Sequence, residues 1–183
     1  LSFRTLSSTS QSLLVVANGD GLITFTPRQK FNAVFCSMKT QNASVASTIY
    51  IMSAETTEHS NGIRVVDNTK CKLTSSGTYN IQFSAQFAKT TPGGDMASVW
   101  FRKNGTNVAA SNSKFGISQR KSAGVPSHMI GSLNFFIGLE KNDYVELVFR
   151  PSDIGVTIEH FATDTSPTRP ATPSIIATMS YVS

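Results

Sequence analysis

Three histidines, His59, His128 and His160, and eleven carboxylates are the groups in this 183-residue chain best suited to move protons or hold a metal. Glu159 adjoins His160, but neighbours on a strand point to opposite faces, so the two cannot act as base and orienting carboxylate within one element. Glu55, Glu58 and His59 gather with Thr56 and Thr57 in what reads as a solvated loop, where a metal would need a further ligand. Asp95, Asp153 and Asp164 lie among Ser, Thr and Gly without the dense Asp/Asn spacing of a calcium loop. There is no Gly-x-Ser-x-Gly elbow and no phosphate loop. Thr91-Pro92-Gly93-Gly94 precedes a strand instead of opening a helix, and reads as a turn. Acids dispersed through turns give no reason to propose paired-carboxylate glycoside hydrolysis. The expectation is a protein without catalytic residues, metal or cofactor.

The remaining chemistry is that of surfaces. Between Met96 and Leu139 stand Arg102, Lys103, Lys114, Arg120 and Lys121 and no acid, within a net charge of +5. Such a stretch is locally positive and suits phosphate or an acidic glycan, with Lys114, Arg120 and Lys121 as the candidate contacts; the plainer reading is a solubilising, loop-rich face. Aromatic residues are not interleaved with these charges as a nucleic-acid stacking platform requires. Cys36 and Cys71 make at most one bridge, and the apolar residues two positions away read each as small, buried and reduced. Asn42-Ala43-Ser44 and Asn104-Gly105-Thr106 fit the glycosylation triplet, which matters only in a eukaryotic secretory pathway.

The elements that must carry these groups are strands. Hydrophobic residues make up 39% and charged residues only 15%, so the 25 Ser and 20 Thr do much of the solvating. Nine Leu and no tract rich in Ala, Glu, Lys and Leu argue against a helical bundle. The length suits one core with short appendages. No apolar run reaches the roughly 18 residues of a membrane span, and no basic region followed by an apolar core and cleavage site opens the chain. A start at Leu1 instead of Met points to a processed product or part of something longer.

Residues 1–30 read as an arm, with Leu13–Ala17 and Leu22–Thr26 flanking the turn-forming Asn18-Gly19-Asp20-Gly21. A lone hairpin is marginal in water and should dock elsewhere. From Phe31 to Ser183 strand signals recur about every 8–12 residues, the spacing of a sandwich or jelly roll of seven or eight strands. In Gly77–Ala88, Tyr79, Ile81, Phe83, Ala85 and Phe87 alternate with polar residues, so one face is apolar and the other polar. Ala97, Val99 and Phe101, then Leu133 to Leu139, Val145 to Phe149, Ile154 to Ile158 and Ile175 to Tyr181 continue the inward set. The same parity sends Trp100, Phe136, Tyr144, Val148, Ile176 and Val182 outward, and several large apolar residues outside one core predict a second buried surface between subunits. Glu146 and Arg150 share the face of Val148, so an interface there would also carry an ion pair.

Thr48–Met52, Asn61–Val66, Ser76–Gln86, Val99–Thr106, Asn142–Val148 and Pro173–Met179 resemble a phage and cyanophage structural-protein family. That family is similar to the jelly roll of the complement globular head and tumour necrosis factor. The strongest elements are the Gly-x-Tyr-Asn-Ile-Gln-Phe strand at 77–83 and the Arg-Lys-Asn-Gly turn at 102–105. The resemblance covers roughly Phe31–Ser183. It implies an all-β jelly roll, a homotrimer exposed on the virion as capsid decoration or fibre head, assembly in the host cytoplasm and no enzymatic activity. The candidate trimer interface is Trp100, Phe136, Tyr144, Glu146, Val148 and Arg150, and the arm would hold other virion proteins. Two rival readings are a receptor-binding adhesin that takes anionic host-surface polysaccharide through the basic loops, and a secreted globular-head ligand.

Overall fold

The computed structural model describes residues 13–17, 23–27 and 30–183, which fall into two units, Leu1–Lys30 and Phe31–Ser183. In the first, β1 (Leu13–Ala17) and β2 (Ile23–Pro27) pair antiparallel with Ala17 opposite Ile23. The expected Asn-Gly-Asp-Gly turn between them lies outside the described residues.

The second unit is an all-β sandwich of two antiparallel sheets, consistent with a jelly roll, with no helix among the described residues. In chain order its strands are β3 (Asn32–Ser37), β4 (Gln41–Asn42), β5 (Tyr50–Ile51), β6 (Thr56–Asn61), β7 (Ile63–Val66), β8 (Lys70–Leu73) and β9 (Gly77–Lys89). There follow β10 (Asp95–Lys103), β11 (Thr106–Asn107), β12 (Ser113–Ile117), β13 (Ser127–Leu139), β14 (Tyr144–Pro151) and β15 (Val156–Ile158). Last come the small hairpin β16 (Asp164–Thr165) with β17 (Thr168–Arg169), and β18 (Ile175–Tyr181).

The first sheet runs β4-β15-β9-β18-β3-β6, with β13 also paired to β9; the second runs β11-β10-β14-β8-β7, with β12 on β10 and β5 on β14. Alternation explains why β9 and β13 pair along their whole length. Tyr79, Ile81, Phe83, Ala85 and Phe87 are buried while the residues between them face the other way. Ala97, Val99 and Phe101 answer from β10, and Phe83 meets Phe101 edge to face with ring centroids 6.1 Å apart. Both sheets thus close over one apolar layer.

Three local expectations change. Ile154 is exposed, because Asp153 to Gly155 form a turn in which the Gly155 amide donates to Asp153 Oδ1 at 2.7 Å; the inward run starts at Val156. Residues 56–61 are a strand and not a loop, held at the sheet edge by pairing with β3 through a register shift between Val34 and Phe35. The two sheets hold seven strands each, more than the seven or eight expected in all, because pieces such as β4, β5 and β11 are only two residues long and too short to show a period in the sequence.

Candidate functional site

Polar and apolar side chains divide unequally between the outer faces of the two sheets. Across the first sheet, register places Phe136, Asn80, Ser180 and Asn32 in one row, Asn134, Gln82, Thr178 and Val34 in the next, and Ser132, Ser84, Ile176 and Cys36 in a third. No outward position of β13, β9, β18 or β3 carries Lys, Arg, Asp or Glu. Phe136 is 55% exposed and Ile130 61% exposed, with Ile176 and Val182 also open. In the first of these rows the buried Oδ1 of Asn80 accepts no hydrogen bond, which is costly unless something else covers and satisfies it.

The outer face of the second sheet is basic. Arg64, Lys72 and Tyr144 form one cross-strand row. Arg102 stands opposite Glu146, and Ser98 lies between Lys114 on β12 and Arg150 on β14. Trp100, Val148 and Ile51 fill the row between.

These placements revise the candidate interface. Parity correctly puts Trp100 and Val148 outside the main core, yet neither lies open: Val148 is 0% exposed and Trp100 9% within one protomer. The cause is segment 47–52, which lies along β14. The Ser47 amide donates to Pro151 O and the Met52 amide to Leu147 O, both at 2.8 Å, so Val148 is flanked by Ile51 on one side and Trp100 on the other. Trp100 Nε1 donates to Asn107 Oδ1 at 2.8 Å. Val148 therefore has no surface left to offer a sister subunit. Glu146 is also buried, while Tyr144 is half-buried and Arg150 exposed. Glu146 and Arg150, four residues apart on one strand, are separated by about 13 Å; Arg150 Nε instead donates to Ser47 O at 2.9 Å. Of the six residues, only Phe136 is a large apolar side chain left open, and it belongs to the other sheet.

The basic candidates also part company. Lys114 lies on the β12 edge of the second sheet, whereas Arg120 and Lys121 belong to the following turn, where their amides donate to Thr91 O and Val125 O. The neighbour that the structure gives Lys114 across Ser98 is Arg150.

Sequence reasoning missed the buried cation Lys89. Its ammonium, in a side chain 1% exposed, pairs with Asp95 Oδ2 and with Asp153 Oδ1 at 2.7 Å. Thr91 Oγ1 and the Gly155 amide also donate to Asp153 Oδ1. The signal was there, since Lys89 continues the inward parity of Phe87. Burial opposes its charge, but the two carboxylates outweigh that and raise its pKa.

The histidines separate as well. His128 Nε2 meets Glu159 Oε2 at 2.8 Å across two elements, and His160 Nδ1 meets Thr172 O. No hydroxyl or thiol nucleophile is bonded to His128 among the described residues, so the pair lacks the third member of a triad. Glu55 accepts the Met38 amide, Glu58 the Cys36 thiol, and His59 bonds Asn32, so these three groups point to different partners. Among the described residues no group of His, Cys, Asp and Glu could hold a metal. Both cysteines are free; burial first, then Glu58, pushes the Cys36 thiol up to about 11.

At the Asn104 triplet, Asn104 Nδ2 donates to Asp143 Oδ1 at 2.7 Å while its Oδ1 accepts the Tyr144 amide. A glycan on that nitrogen would compete with the turn it closes. Compared with known proteins, the chain matches no family model and no curated sequence.

Proposed function

We propose that this chain is a non-enzymatic virion structural protein: a jelly roll of the complement-globular-head and tumour-necrosis-factor type that assembles as a homotrimer on the particle surface. The carrying observation is the uncharged outer face of β13, β9, β18 and β3, with Phe136, Ile130 and Ile176 exposed and Asn80 Oδ1 unpartnered. Covering a large apolar side chain is worth about 2 kcal/mol, so three copies closing over this face gain at each contact and strand no charge. Closed three-fold symmetry would use the same patch on every copy and leave the basic sheets outermost. The resemblance of residues 31–183 supports the particle setting, as decoration or fibre head, and the arm of residues 1–30 would attach the trimer to other virion proteins.

Light scattering on the purified chain tests this directly. The expected mass at micromolar concentration is three times the 19.7 kDa of one chain; a stable monomer overturns the assembly.

The adhesin reading is favoured by a separate observation, the cations Arg64, Lys72, Lys114 and Arg150 gathered on the outer face of the second sheet. An anionic host polysaccharide would meet this face at low affinity per site, raised by three-fold avidity. Adsorption that does not weaken as salt rises would dismiss it.

A further inference from the structure

We propose that a groove on the outer face of β10, between Lys114 and Arg150, binds a carboxylate-bearing saccharide. This sharpens the adhesin reading by naming a site, and it does not depend on the trimer. The groove has a volume of about 380 Å³, within the range of small-ligand sites, and Trp100, Ser98, Asn107 and Asn112 line it together with the two cations.

Three features make it a ligand site and not merely a charged surface. First, Lys114 and Arg150 flank the Ser98 hydroxyl on adjacent strands, so their backbones stand about 10 Å apart. Neither has a carboxylate partner among the described residues. Arg150 Nε donates to Ser47 O, on the side of β14 away from β10, which anchors the guanidinium at the rim of the groove and leaves its terminal nitrogens without a carboxylate. Second, Asn107 Oδ1 accepts from both Trp100 Nε1 and Arg102 Nε, which sets its orientation and leaves Nδ2 as a donor for sugar hydroxyls. Third, the wall is pre-built. The buried Ser111 accepts the Phe101 amide and donates to Val108 O, tying the 108–112 loop to β10. Sites held on strands by such secondary bonds lose little entropy on binding. An acid flanked by hydroxyls matches this set of two cations, amide and hydroxyl donors and one indole edge better than a bare anion does.

Trp100 is the chain's single tryptophan, so its intrinsic fluorescence reports on this groove. The full chain is titrated with oligogalacturonate, with oligosialic acid, with a neutral galacto-oligosaccharide and with inorganic phosphate. A saturable emission change is expected with at least one acidic saccharide, weakening as salt rises. The exposed-site double variant K114S/R150S should lose about tenfold or more in affinity, and R120S/K121S should keep it. Circular dichroism confirms that each variant folds. The proposal is overturned by silence of both acidic probes to about 10 mM, by binding that survives K114S/R150S, or by phosphate or the neutral sugar binding as tightly. Sizing the same samples separates this result from the trimer: a monomer that binds keeps the groove and removes the assembly, and a trimer that does not bind does the reverse.

Discussion

The two outer faces of the sandwich share one strand period and answer to different needs. On the first sheet, β13, β9, β18 and β3 present Phe136, Ile176, Asn80, Gln82 and Thr178 and no charge. On the second, parity also brings large apolar residues outward, but Val148 is flanked by Ile51 and Trp100, Trp100 is tied to Asn107, and the exposed Ile51 and Met96 share the face with Arg64, Lys114 and Arg150. Alternation alone therefore says only that a side chain leaves the core. Whether it meets solvent, a neighbouring segment or another chain is decided by what the fold lays across it, and here the two sheets part.

The largest effect that can break this contrast is on assembly. F136E should convert the proposed trimer to a protomer of 19.7 kDa in light scattering, whereas K72E, on the basic sheet, should leave the mass unchanged. If both behave alike, the faces are not functionally distinct. Next comes the corner where the sheets exchange charge, Lys89 of the first against Asp95 of the second. K89A leaves Asp95 and Asp153 facing each other without their cation and should cost about 3 kcal/mol in chemical denaturation. V148A should cost about 2 kcal/mol despite its outward parity, because the site is filled within one protomer; a negligible cost would mean that the packing around Val148 is loose.

Acid titration probes the basic sheet. Burial works against the charge on Asp143, but Lys103, the Glu140 amide and Asn104 hold its carboxyl down at about 2. A carboxyl lowered on folding stabilises above its unfolded pKa and loses that contribution as pH falls toward the folded value. Stability should therefore decline from about pH 4 to about pH 2 by about 2 kcal/mol, and K103M should shrink the decline. The smallest effect is chemical. With its thiol raised to about 11, Cys36 on the uncharged face should alkylate about a hundredfold more slowly at neutral pH than an ordinary thiol, as read by mass spectrometry.

Much of the fold was legible because β9, β10 and β13 are long enough to display their period. Phe83 and Phe101 belong to the core for the same reason that Phe136 leaves it. What escaped was set by pairings distant in sequence. Residues 50–51 form too short a strand to announce themselves, so the neighbour that flanks Val148 could not be seen. Lys114 meets Arg150 only because β12 and β14 both border β10, and neither spacing nor composition carries that order. Likewise, His128 finds Glu159 through the path of β15 and not through adjacency in the chain.

The chain enters and leaves the sandwich at neighbouring points. The Tyr181 amide donates to Phe31 O and the Thr78 amide to Ser183 O, each within 2.8 Å, so entry and exit lie side by side where β3, β9 and β18 meet at one end of the first sheet. A short bridge from Ser183 to Phe31 would close this unit into a ring, which a new opening in an exposed connection such as 120–124 could then linearise without disturbing a core strand. Cargo fused at either terminus of the isolated unit would likewise be presented from a single pole.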